Sequence, residues 1–287
     1  MDPIYSGPKM EARQGAGGAT APRLDPNLVK DPFFYGYRWV RVTEAGRTFS
    51  KQVPLTRGDL LDPQEDDKVS NRSWHDLITA RIGEILRTLF AFRGLDDVLV
   101  MGNVKMLWAN PKISRVAPDL AVSFGVTNPY GRDFTSFREA DEGTRPAFAL
   151  EVVSEATADT DKNDKPGVYQ KAKVQEYFML DQRQEKWTLN GRRLNPSTGR
   201  YRTITPDSEG CLVAETMEVA FKLGDDAKSL VLTDLRTGEI LLDHLGKAEA
   251  LQAESEARKA AEQRVADQEA KIQELMARLE QLEAKND

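Results

Sequence analysis

The 287-residue chain is short of the residues that most often build metal and redox centres. Its single cysteine, Cys211, excludes an internal disulfide framework and any cysteine-based zinc site. With only two histidines, His75 and His244, a multi-histidine centre is excluded as well. A metal would have to be held by carboxylates, which suits magnesium, manganese or calcium. No run approaches the ~18–20 uncharged apolar residues of a membrane span, and no apolar core of a signal peptide lies near Met1. The expectation is a cytoplasmic protein with no membrane contact. With 40% hydrophobic and 30% charged residues, the chain has the composition of a soluble protein. A net charge of −6 argues against an all-over basic surface for constitutive nucleic-acid binding, but leaves room for a local basic groove.

Composition divides the chain into three. Residues 1–30 hold four prolines and no apolar periodicity, and read as a disordered lead. Residues 31–245 carry the folded pattern. An aromatic cluster, Phe33 to Trp39 with Val40 and Val42, opens a first strand. Residues 54–73 are polar and read as a loop with one helical turn at 56–61. Trp74, Leu77, Ile78, Ile82, Ile85, Leu86, Leu89 and Phe90 then recur at helical spacing, with Asn71 or Ser73 as cap and Gly94 as stop. Strand-like runs follow at Val98–Trp108, Val116–Phe124 and Ala147–Val153. A helix between Pro166 and Lys173 and a strand at Glu176–Leu180 complete the set. From Lys186 to Asp243, short runs separated by turn signals read as β-hairpins.

Residues 246–287 change character: positions 247–285 contain neither glycine nor proline. With Leu251, Arg258, Val265, Ile272 and Leu279 at heptad position a, position d holds Glu254, Ala261, Gln268, Leu275 and Leu282. β-Branched residues at a with leucine at d favour a parallel two-stranded coiled coil. The polar positions Glu254, Arg258 and Gln268 leave a single solvated helix as the alternative.

Two acids stand where chemistry would need them. Asp119 follows Pro118 at the start of the run Leu120-Ala121-Val122, and Glu151 interrupts the apolar run Phe148–Val153. An acid buried in a β-branched strand is costly without compensation, and a divalent cation shared by two such acids relieves both burial and mutual repulsion. The bland alternative makes Asp119 a turn cap and pairs Glu151 with an arginine at a strand edge. A polar segment from Ser154 to Lys165 follows Glu151 and leads into the second helix. A lysine there could orient an attacking water or hold a phosphate oxygen.

Pro118-Asp119, Glu151-Val152-Val153-Ser154, then Asp161, Lys165 and Tyr169 at four-residue steps, and Glu176 to Asp181 form an ordered set. It resembles the Uma-two family of restriction endonucleases, within the PD-(D/E)XK nuclease superfamily. Val53-Pro54-Leu55-Thr56, Asp62-Pro63-Gln64 and Thr237-Gly238-Glu239 extend the likeness over residues 50–245. The resemblance implies an α/β (α+β) fold with a restriction-endonuclease-like core of helix–strand–strand–strand–helix–strand. Around it would lie a mixed central sheet, extra β-hairpins and the C-terminal coiled-coil helix. It also implies a Mg2+ (or Mn2+) dependent endonuclease acting on DNA, with Asp119, Glu151 and the backbone carbonyl of Val152 as metal ligands.

The superfamily's usual lysine position falls on Val153, and the resemblance moves that role to Lys165. Pro166 disfavours helical geometry at the residue before it, so Lys165 is expected at a helix edge, with Lys162 and Lys171 as substitutes. Asp161 and Tyr169 match motif positions with supporting roles, His75 matches a histidine at the helix start, and Glu84 is either an extra acid near the metal or a solvated residue. Arg183, Lys186, Arg192, Arg193, Arg200 and Arg202, with Trp187 and Tyr201, would form a basic ridge for phosphate contacts. An exposed hairpin whose charges only aid solubility is the alternative. Two further expectations remain: a homodimer through the tail, and, in competition with cleavage, an inactive nuclease-fold module that grips nucleic acid or a protein partner.

Overall fold

The computed structural model describes residues 31–44, 46–64, 66–69 and 73–283. The expected disordered lead at 1–30, the cap Asn71 and the side chains of Ser73, Leu279 and Leu282 lie outside the described residues.

The described residues open with a hairpin, β1 (Gly36–Glu44) and β2 (Arg47–Pro54), joined by the short β3 (Lys68–Val69) into a three-stranded sheet. The expected helical turn is a 3-10 turn at Asp59–Leu61. Arg38 ties this loop down, donating to Asp59 at 2.7 Å and to Asp67 at 2.7 and 2.8 Å. The long helix α1 (Ser73–Phe92) buries Ile78, Ile82, Ile85, Leu86, Leu89 and Phe90, the stripe its three- and four-residue spacing requires. Trp74 and Leu77, placed on that stripe by spacing alone, are exposed. Gly94, at φ 69°, ends the helix in the left-handed conformation that glycine adopts without strain.

The expected run at 98–108 divides. β4 (Leu99–Met101) joins the main sheet, and β5 (Lys105–Leu107) leaves it to pair in parallel with β7 (Ser136–Arg138). The turn falls at Gly102-Asn103, where Asn103 takes φ 55°. Next come β6 (Leu120–Ser123), the four-residue helix α2 (Glu139–Glu142), β8 (Pro146–Val153), α3 (Lys165–Lys171) and β9 (Glu176–Asp181). The hairpin β10 (Thr188–Asn195) and β11 (Arg200–Thr203) follows.

The central sheet runs β11-β10-β9-β8-β6-β4, and it is mixed: β8 and β9 are parallel and every other pair is antiparallel. A second sheet, β12 (Leu212–Ala214), β13 (Val219–Leu223), β14 (Leu230–Asp234) and β15 (Ile240–Leu241), is antiparallel throughout. A single helix, α4 (His244–Glu283), is the last element of the described residues. The order helix, three strands, helix, strand stands at the centre of this α+β architecture. No helix among the described residues is long and apolar enough to cross a membrane.

Strand alternation divides the core in two. Phe148, Leu150, Val152, Phe178 and Leu180 pack with α1 and the second sheet, and Phe148 stacks on Phe221 at 5.7 Å between ring centroids. Ala149, Val153, Tyr177 and Met179 face the other way, toward Tyr169 and Trp108. Glu151 belongs to this second face.

Candidate active site

Sheet register brings the two acids together. β6 pairs with β8 through Leu120↔Leu150 and Ala121↔Ala149, and one further antiparallel step sets Asp119 opposite Glu151 on the same face. The Asp119 N–H lies 3.4 Å from Glu151 Oε2. Asp119 Oδ2 accepts from the Val152 N–H at 2.7 Å and lies 3.0 Å from His75 Nε2. Gly102 crosses close by, and a methyl group added there would press on the Asp119 carbonyl at 3.3 Å.

The second helix begins earlier than Pro166. Helical geometry starts at Ala158, passes through a π-turn at Thr160–Asp164 and continues into α3. Proline inside a helix lacks its N–H and crowds the preceding turn, and the wider π-turn accommodates it. Lys165 therefore lies within a continuous helical segment, at φ −57° and ψ −37°, rather than at a helix edge. Its Nζ lies 2.8 Å from Glu151 Oε2 and 2.8 Å from Asp161 Oδ1, the latter across one helical turn. Of the three candidate lysines it is the one that reaches these acids. Lys162 pairs instead with Asp181 at 2.6 Å, and the Lys171 side chain is exposed.

Tyr169 and Tyr177 complete the site from below. The Tyr169 hydroxyl donates to Glu151 Oε1 at 2.6 Å, and the Tyr177 hydroxyl donates to the Asp161 carbonyl at 2.8 Å. The two rings lie 5.1 Å apart, with Trp108 edge-on to Tyr169 at 6.4 Å. Tyr169 thus gains the role that spacing alone left open. Tyr177 carries no signal in the sequence, because a tyrosine within an apolar strand run looks like any other core residue.

The electrostatics are those of an acid-rich buried site. Glu151 and Asp161 are fully buried. Burial, together with each other's charge and that of Asp119, pushes Glu151 well above the usual carboxylate range against the pull of Lys165. Asp161 is raised chiefly by burial too. Burial also opposes ionisation of Asp119, but His75, Lys165 and the Val152 N–H together hold its pKa below the usual value. His75 is disfavoured as a cation by burial, yet its hydrogen bonds to Asp119 and Asp76 raise it to about 9. Lys165 stays charged, since Asp161 and Glu151 outweigh its burial. Three buried acids thus face two cations. Neither carboxylate oxygen of Asp161 receives a hydrogen bond in good geometry among the described residues.

A cleft of about 690 Å³ opens onto this cluster, with Asp119, Lys165 and Thr157 on one side. Leu60, Gln64, Asp67 and Lys68, from the N-terminal sheet and its loop, form the other wall. Arg57 bridges the two sides through Asp159, at 2.5 Å, and Asp164, at 2.7 Å. Nothing local in the sequence announces that wall.

The remaining expected residues distribute differently. Glu84 accepts the His244 N–H at 2.9 Å and so caps α4, away from the acid pair. The basic ridge is split. Arg183 holds Asp181 through two side-chain hydrogen bonds of 2.9 Å. Arg193 pairs with Glu176 and Glu215 and donates to the Val213 carbonyl. Register puts Arg193 and Arg202 on one face of the hairpin, whereas Arg192, aligned with Tyr177 and Thr203, shares the Glu151 face. The Tyr201 hydroxyl donates to the Val174 carbonyl at 2.9 Å and packs into the second core rather than adding exposed aromatic surface. Lys186, Arg192, Arg200 and Arg202 make no ion pair among the described residues. Cys211 is half-buried and lies outside the site.

Two acids in register on adjacent strands, with a helix-borne lysine beside them, form the candidate site of this α+β protein. The model of the Uma2 family, described as "Putative restriction endonuclease", matches residues 68–223, more than half of the chain, and the chain belongs to that family. Among solved structures, it is similar to a "putative nuclease belonging to DUF820" from Anabaena variabilis ATCC 29413. That likeness has 12% identity and a TM-score of 0.38, and covers 64% of this chain and 86% of the other. No curated protein matches.

Proposed function

We propose that the protein is a Mg2+ or Mn2+ dependent endonuclease that hydrolyses phosphodiester bonds in DNA. The observation that carries this reading is Lys165. Although Val153 occupies the usual lysine position, the ammonium of Lys165 reaches Glu151 from the following helix, and Asp119 stands opposite in sheet register.

The donor set fits a hard divalent cation. Asp119 and Glu151 offer carboxylate oxygens and Val152 a backbone carbonyl, and the buried acids outnumber the cations beside them. No group of three or more His, Cys, Asp or Glu among the described residues is arranged to hold a metal ion, so a carbonyl, solvent and substrate would have to complete the coordination. When bound, the ion would polarise the scissile phosphate and lower the pKa of a coordinated water.

The chain's own groups do the rest. His75 and the Val152 N–H fix the Asp119 carboxylate, and Tyr169 fixes one oxygen of Glu151. Lys165, held charged, offers hydrogen bonds to the attacking water or to a non-bridging phosphate oxygen as negative charge builds. The water oxygen bonds to phosphorus and releases its proton to solvent, while the bond from phosphorus to the leaving sugar oxygen breaks and that oxygen takes up a proton from solvent. Arg192, on the Glu151 face of the hairpin, supplies a phosphate contact. The catalytic unit spans residues 31–245. The tail joins two copies through Val265, Ile272 and Leu275, which are exposed along α4.

Calorimetry with Mg2+ and Mn2+ and a plasmid-nicking assay, on the wild type and on Asp119→Ala and Glu151→Ala, test the reading. Binding and nicking both present in the wild type and both lost in the variants are expected. Binding without nicking on any nucleic acid would leave a non-cutting module, and no binding by a folded wild type would return both acids to structural roles. Light scattering at micromolar concentration tests the tail, and a monomer would overturn the dimer.

A further inference from the structure

A second cavity, of about 510 Å³, lies on the other side of His75 from the cleft. Its walls include Trp74, His75, Gln182, Trp187 and Lys228, together with the acids Glu155 and Asp226. That volume is within the ~300–1,000 Å³ typical of small-ligand sites. His75 lines it while its Nε2 holds Asp119, and Val153, which also lines it, lies two residues beyond Glu151, so the cavity is one side chain away from the acids.

Packing within the fold accounts for none of three features there. Trp74 sits in the first turn of α1 with 66% of its surface exposed, on the lining of this cavity. The side-chain nitrogen of Gln182 is buried and finds no acceptor among the described residues. An unpaired buried donor is costly unless a partner arrives. Lys228 is exposed on the rim, and its ammonium joins no ion pair among the described residues, whereas the Arg183 guanidinium beside it is engaged by Asp181.

Two indoles, an unsatisfied amide donor and a free cation in one concavity match an unpaired nucleotide. Its base has a π-face for tryptophan and acceptor atoms along its edge, and its phosphate carries the charge for Lys228. We infer that this cavity receives one unpaired base of the strand being cut, stacked on Trp74 and Trp187, with its edge on Gln182 and an adjacent phosphate on Lys228. The inference rests on the nuclease reading above and narrows its substrate class to single-stranded or locally opened DNA. A base inside a continuous duplex would first have to leave its stack.

The test uses the full chain in EDTA, so that binding is read without cutting. The probe is a single-stranded DNA oligonucleotide carrying 2-aminopurine, compared with a fully paired duplex of the same length. The single strand is expected to bind more tightly, with quenching of both 2-aminopurine and tryptophan fluorescence. Trp74→Ala should weaken that binding about 5- to 150-fold, the range for loss of one base–aromatic stack, and Trp74→Phe should recover part of it. Gln182→Leu should weaken binding without changing the melting temperature, and Trp187→Phe replaces a riskier truncation because Trp187 also packs against the core.

Equal affinity for the single strand and the duplex would overturn the inference. So would unchanged affinity in both Trp74→Ala and Gln182→Leu, or free dTMP binding as tightly as the oligonucleotide. Failure of the two readings is distinguishable. Tryptophan-dependent binding without nicking in Mg2+ keeps the cavity and removes the nuclease. Nicking that ignores Trp74 and Gln182 does the reverse.

Discussion

The two faces of β8 are equally dry and chemically opposite. Leu150 and Val152 are fully buried against α1 and the second sheet, among the apolar side chains of Phe148, Phe178 and Phe221. Glu151, between them and just as buried, faces Asp119, Asp161, Lys165 and Tyr169. One face gains stability from each group that it hides. The other hides charges that are costly to desolvate, and keeps them by pairing. Burial therefore does not separate core from site in this protein. The partners of the buried group do.

The sharpest way to break that comparison is Lys165→Met. The substitution keeps the volume but leaves Glu151 and Asp161 without the cation that contacts both. Nicking is expected to fall about 10²–10³-fold, and stability by about 3–5 kcal/mol at neutral pH, recovering in acid as the carboxylates protonate. Plasmid nicking and urea titrations across pH read the two effects, and wild-type behaviour in both would remove Lys165 from the site.

On the opposite face, Leu150→Ala should cost about 2–5 kcal/mol in urea unfolding while leaving Mg2+ affinity of the folded protein unchanged. A large change in affinity would show that the two faces are coupled. Tyr169→Phe deletes a single hydrogen bond to Glu151 and keeps the ring. A loss of about 1.5–3 kcal/mol is expected for a bond to a charged group, with about 10- to 100-fold weaker metal binding or activity if Tyr169 orients a ligand. Calorimetry and melting curves on the same sample separate the two.

The smallest effect concerns Asp181, at the end of β9. Burial opposes its ionisation, but hydrogen bonds from Arg183 and Lys162 prevail and hold it at about 2. A carboxylate lowered by folding contributes stability above its unfolded pKa of ~3.9 and loses it as the pH falls through the folded value. Allowing for solvent screening, about 1–2 kcal/mol should disappear between pH 4 and 2. Asp181→Asn should flatten that part of the stability–pH curve, and an unchanged curve would show that the ion pairs contribute nothing.

Much of the fold is legible in local pattern. The apolar residues from Ile78 to Phe90 mark one side of α1, and Glu151 stands out because an acid inside a β-branched run is costly unless a partner compensates it. The failures have physical causes. The run at 98–108 breaks because Gly102-Asn103 turns, and apolar content alone cannot distinguish one long strand from two short ones in different sheets. The second helix starts upstream of Pro166 because a π-turn absorbs the proline. The basic hairpin does not act as one ridge, since neighbouring residues of a strand point to opposite faces and Arg193 finds acids that lie far along the chain. Trp74 fits the helical spacing and is nevertheless exposed, lining the second cavity instead of the core.

By itself the sequence determined the long helix α1 and its apolar side, the strand that carries Glu151, and that two acids, a lysine and a tyrosine are available in a fixed order. Those properties follow from periodicities of 3.6 and 2 residues, which act over a few neighbours. The tertiary structure decided that Asp119 meets Glu151, through the Leu120↔Leu150 register, and that Lys165 rather than Lys162 or Lys171 turns toward them. It also decided that a loop from the N-terminal sheet closes the cleft and that Trp74 and Trp187 share a cavity. Each of these joins residues separated by long stretches of chain. Their distance depends on strand pairing and on how intervening loops close, and local periodicity carries no record of either.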